Sequence, residues 1–398
     1  MMIYMRSNEP IFYFGVNGIG LGHARRSSRI IEELSGIANI VCTTYSKTSA
    51  SSYLRRKGIN VIEIPKLSWA ETYDGGINYP KTLIKVPSGI SFAAFHLLKD
   101  YFLIKKLKPR IVVSDMRAAP IIVAKKLGIP RFLIGLFFDF SRDTENKFYR
   151  AGTKMLGIFL RRLAKWSNKV FFTDFPPPNT IYERLLPERE IENMIYTGPI
   201  VEKSIEEKIR KQDILEIKKE AKQKLGLEEK NVVLFLSSGI EQAKRYFLYS
   251  IRKIMSDLQE IQDTKVIVSI GRPDKPASKK VFKNIELWTW IPDLTDYLFA
   301  SDTIVGHVGL NKVFDSIAAG AYFIGLIMEN QIEHIAVAKK LEELGIGVGV
   351  RKIDKKLVNI LKRVSDERHS RKKVYEKSRE ISKYRPVEAI KKIIANYL

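Results

Sequence analysis

Short apolar runs alternate along the chain with stretches in which apolar positions recur every three or four residues. The first series of runs reads IFYFGV from Ile11, NIVCTT from Asn39, NVIEI from Asn60, RIVVSD from Arg110, RFLIGLFF from Arg131 and KVFFTDF from Lys169. Helical periodicity fills 24–34 and 118–127, and a long charged helical stretch is expected over about 202–224. A second series then starts afresh: VVLFLSSG from Val232, KVIVSIG from Lys265, IELWTWI from Ile285, TIVGHVG from Thr303 and YFIGLIM from Tyr322. Near-continuous apolar strands separated by helices are the pattern of parallel α/β units. The expected architecture is α/β, with two doubly wound Rossmann-like domains, 1–200 and 201–398, the last helix crossing back to the first. No repeat with a period of tens of residues is visible.

One helical stretch departs from the ordinary core-facing pattern. Over 147–169, Phe148, Met155, Phe159, Leu163 and Trp166 share one face at 3.6-residue spacing, and Lys147, Arg150, Lys154, Arg161 and Lys165 share the other. No acidic residue interrupts the segment. Most such helices are surface helices with a solvated polar face. Apolar bulk beside undiluted positive charge is also what binding to an anionic bilayer requires. The apolar segment from Val86 to Ile104, with Phe92, Phe95, Leu97, Leu98, Tyr101 and Phe102, is its candidate neighbour.

Composition narrows the classes. The 398 residues suit two domains, and a 45% apolar content is that of a globular chain. Cys42 is the only cysteine, so an intrachain disulfide and a thiolate metal cluster are both excluded. No run approaches the ~18 apolar residues of a spanning helix, and PIFYFGV reads as a buried first strand rather than a leader. The expectation is a cytoplasmic protein, peripheral on the inner face of the cell membrane. Lys and Arg number 68 against 44 Asp and Glu, a net charge of +24. Such an excess implies nucleic acid, anionic lipid or a phosphorylated substrate, or a heat-adapted composition.

The chemistry-bearing motifs sit where strands hand over to helices. VNGIGLGHARR, residues 16–26, follows the first strand. Gly18, Gly20 and Gly22 allow a tight turn, and the helix that follows offers N–H groups to an anion. Dinucleotide enzymes use a similar loop but want an acid about 20 residues on, and the second strand ends in CTTYSK without one. His23 at the helix start is a candidate general base. Asp115, at the end of RIVVSD, is placed to orient it and to stabilise its protonated form, or alternatively to cap the next helix. In the second half, TIVG leads into a loop through Gly309 and a helix from Leu310, again a phosphate-friendly N-terminus. Asp315 lies in that helix, where a carboxylate can accept both ribose hydroxyls, and the loop 329–334 offers polar groups to a sugar.

GIGLGHARR resembles the GxGxGHxxR signature that opens GT-B-fold glycosyltransferases of family 28 and their archaeal relatives. That family includes the enzyme adding N-acetylglucosamine to the peptidoglycan lipid precursor. Residues 300–345 are similar to the family's donor-site pattern. The resemblance implies two Rossmann-like domains facing a cleft, with the nucleotide mainly on the second and the acceptor on the first. It implies that Asp315 stands for the ribose-binding glutamate, and that Ser238 and Gly239 form the glycine-rich turn beside the diphosphate. Ile291 falls where backbone groups read uracil, and Glu333 and His334 match the pair that binds the donor sugar. Gly20, Gly22, Gly309 and Lys312 complete the expected ligand set. Two positions depart from the pattern: His334 replaces a usual Gln, and Lys312 a usual Thr or Ser, changes that would alter or silence the activity.

The expected partners are a nucleotide sugar, a UDP-sugar by resemblance, and a lipid-linked or membrane-borne acceptor, with no nucleic acid, no further cofactor and no metal. The sequence contains no DxD triplet, so the leaving diphosphate is expected to rest on helix N-termini and basic side chains. An inverting displacement follows, in which His23, supported by Asp115, deprotonates the acceptor hydroxyl. Two other classes fit parts of the pattern: a nucleotide-sugar 2-epimerase on the same fold, which needs no acceptor, and a basic nucleic-acid-binding protein, which lacks a recognition element here.

Overall fold

The computed structural model describes residues 9–66, 86–135, 147–186, 191–228, 230–239, 241–272, 275–366 and 368–398. The chain divides into two compact units. The first comprises the described residues up to Ile200 together with Arg385–Leu398, and the second runs from Val201 to Tyr384.

In the first unit β1 (Ile11–Val16), β2 (Asn39–Tyr45), β3 (Val61–Ile64), β4 (Ile111–Asp115), β5 (Arg131–Gly135), β6 (Lys169–Phe172) and β7 (Met194–Tyr196) form one parallel sheet in the order β3-β2-β1-β4-β5-β6-β7. Its inner strands are apolar on both faces because both are covered. Phe12, Phe14 and Val113 are fully buried in one core, Tyr13 and Val112 in another. The first face carries α1 (Gly22–Leu34) and α2 (Ser49–Arg56). The opposite face carries α3 (Val86–Leu107) and α4 (Ala118–Lys126), with α5 (Lys147–Trp166) packed beside α4.

The chain leaves β1 toward β2 and leaves β4 toward β5. The strand order therefore reverses between β1 and β4, where a doubly wound sheet opens a crevice at its carboxyl end. Val16 is paired with Asp115 at that end.

The second unit repeats the plan. Strands β8 (Asn231–Leu236), β9 (Thr264–Ser269), β10 (Lys279–Phe282), β11 (Ile285–Trp288), β12 (Thr303–His307), β13 (Tyr322–Leu326) and β14 (Gly347–Val350) order as β10-β11-β9-β8-β12-β13-β14. All pairings are parallel except β10 with β11. The reversal here lies between β8 and β12.

The charged stretch over 202–224 is two helices rather than one, α6 (Lys203–Lys211) and α7 (Ile214–Leu225). Asp213 breaks it: its carboxylate accepts the Leu215 N–H at 3.0 Å and starts a new helix as N-cap. The unit continues with α8 (Glu241–Lys253), α9 (Met255–Gln259), α10 (Thr295–Ala300), α11 (Leu310–Ala318), α12 (Ile332–Leu344), α13 (Lys355–Asp366) and α14 (Arg368–Ile381).

The last helix, α15 (Pro386–Ala395), packs on the first unit. Ile390 and Ile394 are fully buried with Phe12 and Phe14, Tyr397 meets Phe132 edge to face at 5.0 Å, and Lys391 pairs with Glu33 at 2.9 Å.

Candidate active site

The loop after β1 needs a left-handed residue, and Gly20 supplies it at φ 70°. Gly22 then begins α1, and His23 is the second residue of its first turn. Asp115 is the last residue of β4 and is fully buried. The two meet: His23 Nδ1 lies 2.7 Å from Asp115 Oδ1, with the imidazole about one-sixth exposed. A carboxylate at that distance accepts a hydrogen bond from Nδ1–H, which leaves Nε2 as the imidazole nitrogen with a lone pair.

Asp115 holds more than the histidine. Arg26 donates through Nε to Oδ2 at 3.1 Å and through Nη2 to Oδ1, and the Ser27 hydroxyl donates to Oδ2 at 2.8 Å. Burial by itself raises the Asp115 pKa, but the Arg26 guanidinium and His23 outweigh it and hold the carboxyl at about 2. This side chain is therefore a carboxylate throughout the working pH range. Of its partners only His23 was expected from sequence. Arg26 is part of the signature, but in a basic helix it reads as one more solvated charge; in fact it is 2% exposed.

A second buried ion pair lies nearby and was not anticipated. Arg117 donates to Asp100 Oδ2 and to Thr43 Oγ1, each at 2.6 Å, and Tyr13 donates its hydroxyl to Asp100. Asp100 comes from α3, within the apolar stretch considered above as a membrane neighbour. That stretch is divided in use: Asp100, His96 and Ile104 are buried, whereas Phe95, Leu98 and Phe102 are exposed.

At the second reversal, Ser238 and Gly239 follow β8, Gly239 with φ 92°. Gly309 is the N-cap of α11 and Lys312 lies in its first turn. The Lys312 ammonium donates to Ser238 Oγ at 2.6 Å, joining the two strand-end loops. Asp315, one turn further along α11, is 4% exposed.

His307 is the residue that sequence reasoning missed, because TIVGHVG was read as strand followed by glycine loop. It ends β12, is 5% exposed, and its Nδ1 has no hydrogen-bond partner in the protein. Ser237 Oγ, at the end of β8, is buried in the same condition. Buried polar atoms are normally bonded, so two orphans at one strand-end crevice mark a place for polar contacts to a ligand. Burial, then Lys312 and His334, push the His307 pKa well below its ordinary value, so it stands neutral.

His334 is turned toward its own loop: Nδ1 accepts the Met328 N–H at 3.2 Å. Glu333 is in the first turn of α12, and the Ile291 side chain is packed away at 2% exposure after β11.

The apolar side of α5 is divided between core and solvent. Leu163 and Ala164 are buried, and Lys125 lies 4.0 Å from the centre of the Trp166 ring. Met155 (73%), Leu156, Ile158 and Phe159 are exposed. Leu163 thus faces the core, whereas Met155 and Phe159, which share its side of the helical wheel, project to solvent. Lys154 and Lys165 are exposed and Arg161 is half-buried; the side chains of Lys147, Phe148 and Arg150 lie outside the described residues. Among the described residues no helix is long and apolar enough to cross a membrane.

Comparison with known proteins places this geometry. Residues 10–137 match a glycosyl transferase family 1 model, and residues 233–393 match the glycosyltransferase family 28 C-terminal domain. Two proteins of Methanosarcina mazei, both named uncharacterized glycosyltransferase, are 22% and 23% identical, each over 83% of this chain and 83% of their own. Among solved structures, the glycotransferase of kitacinnamycin superposes with a TM-score of 0.70 at 14% identity, covering 98% of this chain and 100% of that one. Streptomyces sp. SF2575 SsfS6 in complex with thymidine diphosphate gives 0.62 at 13% identity, with 98% and 100% coverage. Acinetobacter baumannii MurG gives 0.61 at 12% identity, with 98% and 99% coverage. The two seven-stranded units and these matches agree: the chain is a glycosyltransferase with the GT-B fold, and its second unit carries a region similar to the family 28 C-terminal domain.

Proposed function

We propose that the protein transfers a sugar from a nucleoside diphosphate donor to a hydroxyl group of a lipid-linked or membrane-borne acceptor, with inversion at the anomeric carbon. The observation that carries the reading is the His23–Asp115 pair at the β1/β4 reversal, with Nδ1 bonded to the carboxylate and Nε2 left as the base. His23 Nε2 takes the hydroxyl proton as the acceptor oxygen bonds to the anomeric carbon. The bond from that carbon to the diphosphate breaks, and the electron pair leaves with the nucleoside diphosphate. Asp115, ionised throughout, stabilises the imidazolium that results.

The leaving group is assigned to the β8/β12 reversal. There the N-terminus of α11, the Lys312 ammonium, Ser237, Ser238, Gly239, Gly309 and the unpartnered His307 Nδ1 present donors suited to a diphosphate. Asp315 is assigned to the ribose, the Ile291 backbone to the base, and Glu333 with His334 to the sugar. Without a DxD triplet, no chelated metal is assigned to the step. SsfS6 is seen with thymidine diphosphate, so the base is open between uracil and thymine; uracil is the reading that the family 28 resemblance favours.

A membrane-borne acceptor is supported by the exposed apolar groups on α3 and α5, which flank α4 in the helical layer of the first unit. A 2-epimerase would leave that surface without a use. On the same reading the positive charge serves the lipid surface and the diphosphate rather than a nucleic acid, and the protein is peripheral on the inner face of the membrane.

The test is a panel of UDP-, TDP- and GDP-sugars scored for thermal stabilisation. A donor at 100 times its Kd adds about 2.7 kcal/mol to the folded state. One nucleotide class should raise the melting temperature, in EDTA as well as in Mg²⁺. No shift with any nucleotide sugar, or a shift only with divalent metal, would refute the donor assignment or its metal independence respectively.

A further inference from the structure

In the proposed donor site the base lies at the end of β11, by Ile291, and the diphosphate at the ends of β8 and β12. The sheet order β11-β9-β8-β12 puts the end of β9 between them. Strand β9 stops at Ser269, and the chain continues through Ile270, Gly271 and Arg272. That segment is pressed against its neighbour. Gly271 takes φ 72°, and a Cβ on it would lie 2.8 Å from the Ser237 carbonyl oxygen. The loops that end β9 and β8 are therefore in backbone contact. Lys244 of α8 fixes the arrangement by donating to the Gly271 carbonyl at 2.7 Å.

Arg272 is the cation that this segment carries. Its Nη2 donates to Glu241, the first residue of α8. Its Nε–H is shut off from solvent and has no hydrogen-bond partner among the described residues. A buried donor on a charged group is costly to leave unbonded, and an arginine kept only to brace a loop would be satisfied by that loop. The Ser237 hydroxyl, on the loop that Gly271 touches, is buried and unbonded as well. Two unused donors on touching loops, one of them cationic, are what an anionic oxygen requires.

We infer that Arg272 binds the phosphate attached to the nucleoside, with Glu241 as the positioning residue that holds its guanidinium. The inference rests on the nucleotide-donor reading of this crevice and divides the diphosphate between two cations. Lys312, in the first turn of the helix after β12, lies on the far side of β8 and serves the outer phosphate. Arg272, at the end of β9 and nearer the base, serves the inner one. Glu241 does not cancel this attraction. It is half exposed, so water screens its charge, whereas the Arg272 Nε is closed to water.

Calorimetry on the full chain tests it, with uridine, UMP and UDP and with thymidine, TMP and TDP. In the series that wild type binds, Arg272→Gln should weaken the mono- and diphosphate alike, on the order of tenfold, the worth of one charge-assisted hydrogen bond. Affinity for the nucleoside should not change. Arg272→Lys, which keeps the charge without the fork, should recover part of the loss. Glu241→Gln should weaken the same two ligands by a smaller factor, because the arginine remains but is no longer held. A purely structural Arg272 would weaken all three ligands together and lower the melting temperature of the ligand-free protein. That result overturns the inference, as does an unchanged monophosphate affinity or a loss confined to the diphosphate. Should Arg272→Gln fail to fold, Arg272→Lys decides: equal losses for the three ligands, or none, overturn it. If wild type binds neither UDP nor TDP, the donor reading itself fails. Wild-type binding of a diphosphate combined with an unchanged monophosphate affinity in Arg272→Gln defeats the Arg272 inference alone.

Discussion

Asp115 gathers four bonds from three side chains, and that concentration makes it a stability element beside the catalytic role proposed for it. Its folded-state pKa is depressed to about 2. Linkage then gives the sign: the contribution is complete above the ordinary carboxylate range and is lost as pH falls toward 2. A shift of this size corresponds to roughly 2 kcal/mol. Urea unfolding followed from pH 5 down to pH 2 should show that loss in the wild type, and Asp115→Asn should flatten this part of the curve. Equal slopes would mean that the carboxylate is not held by Arg26 and His23 as described. At the other reversal, Asp315→Ala should weaken nucleoside diphosphate binding far more than it lowers the melting temperature. Ribose would lose charge-assisted hydrogen bonds worth ~1.5–3 kcal/mol each, and calorimetry with the free diphosphate measures that directly. Unchanged affinity would remove Asp315 from the donor site.

At the scale of elements, two helices of the first unit carry apolar side chains that the core does not use. Phe95, Leu98 and Phe102 on α3 and Met155, Leu156, Ile158 and Phe159 on α5 are all at least 40% exposed. Isolated exposed apolar residues are ordinary, but seven on two helices that flank the same neighbour are the composition of a contact surface. Vesicles containing anionic lipid should bind the protein at low salt and release it as salt rises. Replacing Met155, Ile158 and Phe159 with Ser should reduce co-sedimentation severalfold without changing nucleotide-sugar stabilisation. If wild-type protein stays in the supernatant at low salt, the surface has another use and the acceptor is soluble. Sequence periodicity found α5 and grouped its apolar residues on one side. A 3.6-residue wheel shows which residues share a side, but not how far the helix runs past its core contacts, and only the half near Leu163 and Ala164 reaches the core. The edge strand β10 escaped the sequence reading for a related reason. KKVF is exposed at every position and so shows no alternation between a buried and a solvated face.

At the scale of the whole molecule, the chain is two doubly wound units, each with candidate site residues at the point where strand order reverses. That plan was legible because parallel strands buried on both faces are the least ambiguous apolar runs, and because loops following them carry GIGLGH and SSG. The His23–Asp115 contact spans 92 residues, yet His23 opens the helix after one recognisable strand and Asp115 ends another. What stayed hidden were buried polar groups: Arg26 and the Asp100–Arg117 pair, held by partners elsewhere in the chain, and the neutral His307 at the end of its strand. A sequence shows a charge but not its burial, and burial is what separates a solvated arginine from one that holds a carboxylate.

The central claim is acceptor-dependent transfer with His23 as base, and release of nucleoside diphosphate by wild type and His23→Ala tests it most directly. The assay uses the nucleotide sugar that stabilises the protein, with and without membrane lipid as acceptor. Wild type should release diphosphate only when acceptor is present. His23→Ala should be slower on the order of 10²–10⁴-fold, the usual contribution of a general base, with donor stabilisation retained. Equal turnover in the two proteins, or release that is indifferent to acceptor, would contradict the account.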